Sequence, residues 1–206
     1  MRPPVLAGGH APRPVDVILI TGASGVGKTH VSYRLAQHFG MGLTEVDDLH
    51  LVLQRATTAA QHPAMHRYRQ QPERWQALAD ADKLVHIRAY AAEMSPYISI
   101  VIANHLESGA PLVLEGDFLL PSLMAQPMFE GFSAVGRVCG VVIVESSLEQ
   151  LTANHASREG QKQPARSLAS WHHSNWLRES ATQHGIPVVD ARPWDTVLER
   201  VIAAVG

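Results

Sequence analysis

Residues 22–29 read Gly-Ala-Ser-Gly-Val-Gly-Lys-Thr and fit the pattern G-x-x-x-x-G-K-[ST] at every position. Glycines let such a loop curl, so that successive backbone N–H groups point at one phosphate group. The Lys28 ammonium would reach the β and γ phosphates, and the Thr29 hydroxyl would be a ligand of Mg²⁺. The motif therefore predicts a loop that binds ATP with Mg²⁺. The predicted nucleotide contacts are Gly22, Ala23, Ser24, Gly25, Val26, Gly27, Lys28, Thr29, His30 and Arg192.

Apolar runs alternate with helical patterns along the whole chain. β-Branched and apolar runs predict strands at about 15–21, 42–46, 111–117, 138–145 and 187–190. Helical patterns lie between most of these strands, although residues 60–76 lack clear periodicity and a loop follows the third strand. The phosphate-loop motif lies between the first strand and a helix. This alternation predicts an α/β fold with a parallel sheet covered by helices on both faces.

A length of 206 residues fits one α/β domain. We expect residues 1–14, which are rich in proline, to be a flexible leader, and residues 15–206 to form the P-loop domain. Within it, residues 58–108 are expected to be an acceptor-side insert, and residues 157–167 a lid. The helix predicted at 80–108 contains Ser95-Pro96, so a kink or a restart capped by Ser95 is expected there.

The composition argues against some classes of binding partner and indicates a cellular compartment. A net charge of -2 argues against a nucleic-acid footprint and against attraction to anionic membranes. The single cysteine, Cys139, excludes a disulfide within one chain and suits a small core position, so a cytoplasmic location is expected. The twelve histidines lack the spacing of a metal site.

Two aspartates follow the second predicted strand. Asp47 and Asp48 should lie at the carboxyl edge of the sheet, beside the phosphate loop. A carboxylate there can accept the proton of an acceptor hydroxyl as that hydroxyl attacks the γ-phosphate. We predict that Asp47 is this catalytic carboxylate, and that Asp48 caps the following helix and lies near the acceptor.

Glu115 and Asp117 flank a glycine at the end of the third predicted strand. Carboxylates at this edge can bind the acceptor or hold Mg²⁺, so Glu115 joins Thr29 in the predicted metal site. A solvated turn of no function is the alternative interpretation.

Two groups of arginines are further candidates. Arg158 and Arg166 lie in a polar stretch after the fourth strand. A mobile lid at this position would place an arginine side chain against the triphosphate. Arg67 and Arg69 lie in the insert, where guanidinium groups would suit an anionic acceptor. A basic surface loop and a polar surface helix are the respective alternatives.

The D-x-x-G and N-K-x-D motifs of a GTPase do not occur in the sequence, and an AAA-type ATPase would need a helical lid domain for which the chain has no room. The remaining motifs resemble the 2-phosphoglycerate kinase-like group of P-loop kinases over about residues 15–204. They are the phosphate loop, Asp47-Asp48-Leu49, the run from Leu114 to Pro121, Asn175-Trp176-Leu177-Arg178, and Gly185-Ile186-Pro187-Val188-Val189.

This resemblance implies a five-stranded parallel sheet in the order 2-3-1-4-5, a mobile lid, and ATP·Mg²⁺ as phosphoryl donor. The expected activity is transfer of the γ-phosphoryl group to a hydroxyl of a small anionic metabolite similar to 2-phosphoglycerate. Two alternatives stay open: phosphorylation of an antibiotic hydroxyl, which an aromatic acceptor site would favour, and a slow ATP-binding switch with a protein or RNA partner.

Overall fold

The computed structural model of the protein describes residues 11–68 and 71–206. It contains a parallel sheet of five strands, with the order β2-β3-β1-β6-β7. The strands in chain order are β1 Val17–Thr21, β2 Gly42–Glu45, β3 Leu112–Glu115, β4 Met128–Phe129, β5 Phe132–Ser133, β6 Val138–Val144 and β7 Val188–Asp190. The helices are α1 Lys28–Phe39, α2 Val46–Ala56, α3 Pro63–His66, α4 Pro72–Ala77, α5 Asp80–Ser108, α6 Pro121–Met124, α7 Leu148–Glu159, α8 Pro164–Gln183 and α9 Val197–Val205.

The sheet separates two hydrophobic clusters, because alternate side chains of a strand point to opposite faces. Val17 and Leu19 of β1 pack with residues of α5 on one face. Ile18 and Ile20 pack with residues of α1 and α9 on the other face. All five residues of β1 are buried, as expected for a central strand of a parallel sheet. The predicted α/β class is therefore confirmed.

The predicted strand order 2-3-1-4-5 counted only the strands of the main sheet. The chain also forms a small antiparallel hairpin from β4 and β5, which the sequence analysis did not predict. With these two short strands numbered, the same sequence of neighbours becomes β2-β3-β1-β6-β7.

Helix α5 runs without a break from Asp80 to Ser108, with Pro96 inside it. The predicted restart at Ser95 is therefore wrong. The Ser95 hydroxyl does not cap a new helix but donates back to the carbonyl of Ala91 at 2.9 Å. Met94 and Ile98, on either side of the proline, are fully buried against the sheet. This packing offsets the cost of about 3 kcal/mol that a proline imposes in a helix interior.

No helix among the described residues has the length and apolar character needed to cross a membrane.

Candidate functional site

The phosphate loop joins β1 to α1 and has the backbone that its glycines permit. Gly25 and Gly27 have φ values of 86° and 90°. These values lie in the left-handed region, which a side chain disfavours. A Cβ on Gly27 would also lie 2.3 Å from the ring of Trp194, so this glycine allows the indole to approach the loop. Helix α1 starts at Lys28, and its N-terminal N–H groups therefore face the loop.

Two pairs of side chains connect the loop to the end of β3. The Lys28 ammonium forms an ion pair with Asp117, and the Thr29 hydroxyl donates to Glu115 Oε1 at 2.8 Å. Gly116 stands between the two carboxylates because a Cβ there would lie 2.6 Å from Cβ of Val46, at the start of α2. The predicted residues Lys28, Thr29, Glu115 and Asp117 are thus brought together at one edge of the sheet.

Glu115 has the surroundings of a cation ligand. Its residue is 3% exposed, and its Oε2 atom is buried without a hydrogen-bond partner among the described residues. Burial raises the pKa of Glu115, while Lys28 and the Thr29 hydrogen bond act in the opposite direction. An unsatisfied buried carboxylate oxygen beside a hydroxyl is an arrangement that a hard cation such as Mg²⁺ would satisfy.

Mg²⁺ bound to nucleotides usually takes most of its ligands from phosphate and water. In the described part of the chain, no group of three or more His, Cys, Asp or Glu side chains is placed to hold a metal ion. Thr29 and Glu115 therefore fit the predicted role as the protein's part of a nucleotide-bound ion's coordination.

Asp47 and Asp48 lie in the first turn of α2, and both residues are exposed. Partial desolvation raises the pKa of Asp47, and repulsion from Asp117 adds to this, whereas Lys28 and His50 lower it. Asp47 therefore lies within electrostatic reach of the phosphate-loop lysine. The prediction that Asp48 caps the helix is wrong, because the N-cap residue is Glu45 and no side-chain cap is formed. The helix begins at Val46, three residues earlier than a cap at Asp48 would require.

A cavity of about 400 Å³, here called the nucleotide-side cavity, lies along the outer side of the loop. Residues Gly25 to Thr29 form one wall, and the opposite wall includes Asn154, Arg158 and Arg192. Arg192 is held by Glu145 Oε2 at 3.2 Å. Asn154 donates to the carbonyl of Gly25 at 2.8 Å and so ties α7 to the loop. This cavity offers backbone donors and guanidinium groups to a triphosphate.

A second cavity of about 420 Å³, the acceptor-side cavity, lies on the other side of the loop. Ser24 of the phosphate loop lines this cavity, together with Asp117 and Arg166, which both contact residues of the loop. Its other lining residues are Trp75, Gln76, Lys83, Ile87, Phe118, Gln163, Ala165, Ala169, Ser170 and His173. The phosphate loop thus lies between two cavities, with Lys28 and Asp117 at their boundary.

The two predicted lid arginines have different positions. Arg166, in the first turn of α8, donates to the Ser24 hydroxyl at 3.1 Å and to Glu159 at 3.0 Å. Arg158, at the end of α7, has a side chain that is 65% exposed and lines the nucleotide-side cavity. The predicted lid comprises the end of α7, a short connection and the start of α8. Its two arginines face the phosphate loop from different cavities.

A buried histidine supports the loop from the lid side. His155 of α7 is fully buried, its Nδ1 is 2.9 Å from the Ser167 hydroxyl of α8, and its Nε2 would lie 2.6 Å from a Cβ on Gly25. Burial lowers the pKa of His155, and the neighbouring Arg166 lowers it further, so its ring is neutral at neutral pH. This neutral ring packs the two lid helices against the phosphate loop.

Two of the predicted contacts lie elsewhere, and a third is outside the described residues. Arg67 lines a separate surface cavity with Arg74, whereas Trp75 and residues of α5 line the acceptor-side cavity. Arg69 lies outside the described residues. His30 is exposed, with its ring 5.8 Å from that of Trp194, and lines neither cavity described above.

Lys83, His173 and Asn154 line the two cavities but were not predicted as site residues. Asn154 could have been found, since it precedes Arg158 by one helical turn and shares its face of α7. Lys83 carried a weaker signal: a cation in the first turn of a helix opposes the helix dipole. Cys139, in contrast, is half-buried within β6, and burial raises its pKa to about 12, which suits an unreactive thiol.

Comparisons with known proteins agree with this geometry. A 2-phosphoglycerate kinase of Methanocaldococcus jannaschii is 24% identical over 186 residues, and the match covers 86% of this chain and 59% of that protein. The chain therefore spans less than two thirds of the length of this relative.

Two solved structures resemble the whole fold. The tunicamycin resistance protein of Deinococcus radiodurans has a TM-score of 0.58 at 20% identity, covering 93% of this chain and 96% of its own. A gluconokinase of Sinorhizobium meliloti has a TM-score of 0.53 at 21% identity, covering 94% of this chain and 93% of its own. The resemblance to P-loop small-molecule kinases is therefore confirmed, and these two likenesses establish the fold.

A family model described as "AAA domain" matches residues 17–184. This corrects the sequence argument that set the AAA class aside for want of a separate helical lid domain. The match covers four of the five strands of the sheet, the phosphate loop and the helices α7 and α8, so no further domain is needed for it. We conclude that the chain belongs to the AAA domain family, as a P-loop protein with the fold of small-molecule kinases.

Proposed function

We propose that the protein transfers the γ-phosphoryl group of ATP to a hydroxyl of a small anionic metabolite similar to 2-phosphoglycerate. The observation that carries this proposal is the position of the phosphate loop between two cavities, with Lys28 and Asp117 at their boundary. A nucleotide in one cavity and an acceptor in the other would place the γ-phosphate beside the acceptor hydroxyl.

The proposed reaction is a direct displacement at phosphorus. The acceptor oxygen forms a bond to the γ-phosphorus while the bond to the β–γ bridging oxygen breaks, and ADP leaves with that electron pair. The hydroxyl proton passes to a carboxylate, for which we propose Asp47, with Asp117 orienting the acceptor. Lys28 from the loop and Arg158 and Arg166 from the lid place positive charge around the transferring group.

Mg²⁺ would supply charge neutralisation at the β- and γ-phosphate oxygens. Thr29 and Glu115 would hold it, and the unsatisfied Oε2 atom of Glu115 supports this assignment. The remaining phosphate contacts would come from the loop backbone between Gly22 and Gly27.

ADP release measured across a panel of hydroxylated acids, beginning with 2-phosphoglycerate, tests the proposal. We expect Mg²⁺-dependent ADP release above the background without acceptor, and its loss in Lys28→Ala. Failure of the unmodified protein to bind ATP·Mg²⁺ in calorimetry would overturn it. Binding without acceptor-dependent turnover would instead favour the nucleotide switch.

A second candidate function is phosphorylation of an antibiotic hydroxyl. The acceptor-side cavity has aromatic walls from Trp75 and Phe118, and Arg67 does not line it. The name of the tunicamycin resistance protein points to the same class of substrate for that relative in fold. Uncharged antibiotics in the same ADP-release assay distinguish the two functions, since turnover with them and not with acids would favour this one.

A further inference from the structure

Lys83 is a buried cation in the wall of the acceptor-side cavity. The residue is 6% exposed and lies in the first turn of α5. Both features cost stability, because burial removes an ammonium group from water and the N-terminal end of a helix repels positive charge. A residue that is unfavourable for the fold at its position is a candidate for a binding role.

Among the described residues, the Lys83 ammonium is incompletely paired. Its ion-pair partner is Asp80, one turn away on the same helix, at 3.4 Å. The Asp80 side chain is 31% exposed, so water weakens this contact. An ammonium group has three donors, and one long contact leaves donors available to the cavity.

The rest of the cavity explains what could approach this ammonium. Trp75, Ile87 and Phe118 give it apolar walls, while the buried Ser170 and His173 contribute polar groups from α8. Burial lowers the pKa of His173 to about 4, so at neutral pH its ring adds no charge that would compete with Lys83 for an anion. Asp117 lies at the boundary with the phosphate loop, where it pairs with Lys28.

We propose that Lys83 is the specificity-determining residue of the acceptor site, where it pairs with the acid group of a hydroxy acid whose hydroxyl faces Asp117 and Lys28. The acid group is a carboxylate or a phosphate monoester, since both are anions that accept charge-assisted hydrogen bonds. This inference rests on the proposed function and assigns to Lys83 the role that the sequence suggested for Arg67 and Arg69.

Four small acceptors with related carbon skeletons separate the possible anions. Glycerate carries a carboxylate, glycerol 3-phosphate carries a phosphate, 2-phosphoglycerate carries both, and glycerol carries neither. Their dissociation constants are measured by calorimetry in the presence of ADP·Mg²⁺, for the unmodified protein and for Lys83→Met. The methionine keeps an unbranched side chain of nearly the same length and removes the ammonium group, and Lys83→Gln serves as a second variant should the first fail to fold.

We expect at least one of the three anions to bind the unmodified protein, and Lys83→Met to weaken that binding by about 10-fold or more while ADP·Mg²⁺ binds as before. Glycerol should be unaffected, and Lys83→Arg should restore part of the anion affinity. Lys162→Met, which removes an exposed lysine of the lid, is the matched control and should change none of these constants.

An unchanged anion affinity in Lys83→Met, or no anion binding by the unmodified protein, would overturn the inference. In that case, acceptor-dependent ADP release with an uncharged substrate would still support a kinase function, but without an anion site at Lys83. Conversely, anion binding that depends on Lys83 in a protein without any phosphoryl transfer would refute the kinase function and keep the anion site.

Discussion

Asp47 and Asp48 are adjacent in the first turn of α2, and Asp47 lies within electrostatic reach of Lys28 and Asp117. The pKa of Asp47 is raised by partial desolvation and by Asp117, and the Lys28 ammonium acts on it in the opposite direction. A carboxylate with a raised pKa is a better proton acceptor, so its position and its basicity both suit the attacking hydroxyl.

At the residue scale we predict that Asp47→Asn lowers kcat by about 10²-fold or more, the scale of a lost general base, with ATP affinity nearly unchanged. Asp48→Asn is the matched control, because it removes the neighbouring charge and should retain most activity. Its free energy of unfolding should fall by about 0.5 kcal/mol or less, because the interaction with the helix dipole is weaker. Steady-state kinetics and nucleotide calorimetry on both variants check this. Full activity in Asp47→Asn would assign the proton acceptor to Asp117 instead.

At the scale of secondary-structure elements, the helices α7 and α8 are attached to the phosphate loop by polar contacts. Arg166 of α8 reaches the Ser24 hydroxyl, and Asn154 of α7 reaches the Gly25 carbonyl. Both contacts are to the phosphate loop itself, so movement of α7 and α8 would change the surroundings of the transferring phosphate.

We predict that Arg166→Ala lowers kcat more than it lowers ATP affinity, because charge brought to the transferring group stabilises the transition state more than the bound nucleotide. Lys162→Ala removes a cation from the connection between the same helices and should leave both quantities unchanged. The kinetic constants and the dissociation constant of ATP are to be measured for each variant. Equal losses in kcat and affinity for Arg166→Ala would mean that this residue serves ground-state binding alone.

The elements themselves were largely predictable from local patterns. The phosphate loop has a continuous motif, and Asp47, Glu115 and Asp117 each lie at or just beyond the end of a recognisable strand, so their meeting at one sheet edge followed from topology. The hairpin β4–β5 was missed because two-residue strands leave no periodic run. The uninterrupted course of α5 through Pro96 depends on tertiary packing that the sequence pattern does not encode.

The lining of the acceptor-side cavity was the least predictable part of the site. Lys83 and His173 come from helices distant in sequence, and periodicity predicts a helix without showing which side chain a neighbouring helix leaves facing a cavity. Arg67 had the chemistry expected of an acceptor contact, but it lines another surface cavity.

At the scale of the whole molecule, His173 connects the site to stability. It is 4% exposed, its ring stacks on Trp176 at 6.0 Å, and burial lowers its pKa to about 4. Asp117 acts to raise this pKa and Lys28 to lower it. The folded protein therefore holds this histidine neutral at a pH where the unfolded chain, with an ordinary histidine pKa of about 6.5, is protonated.

The sign of the effect follows from the protons bound by each state. Between about pH 4 and 6.5 the unfolded chain binds more protons at His173 than the folded protein does, so stability rises with pH across this range and falls on acidification. At its full extent, this effect lowers the free energy of unfolding at acidic pH by an amount on the order of 3 kcal/mol. It is absent above the pKa that His173 has in the unfolded chain. His50, His86 and His155 have pKa values lowered by burial and act in the same direction, whereas the raised pKa values of Asp47 and Glu115 act in the opposite one.

We therefore predict that His173→Gln flattens the pH dependence of the free energy of unfolding relative to the unmodified protein. The difference between the two should be constant above about pH 6.5 and should move in favour of the variant as the pH falls towards about 4, because glutamine takes up no proton. Urea unfolding at a series of pH values measures it, and His172→Gln controls for the removal of a histidine from the same turn of α8. Parallel curves for His173→Gln and the unmodified protein would mean that the His173 ring is protonated as readily in the folded protein as in the unfolded chain, and that the acceptor-side cavity is open enough to hydrate it.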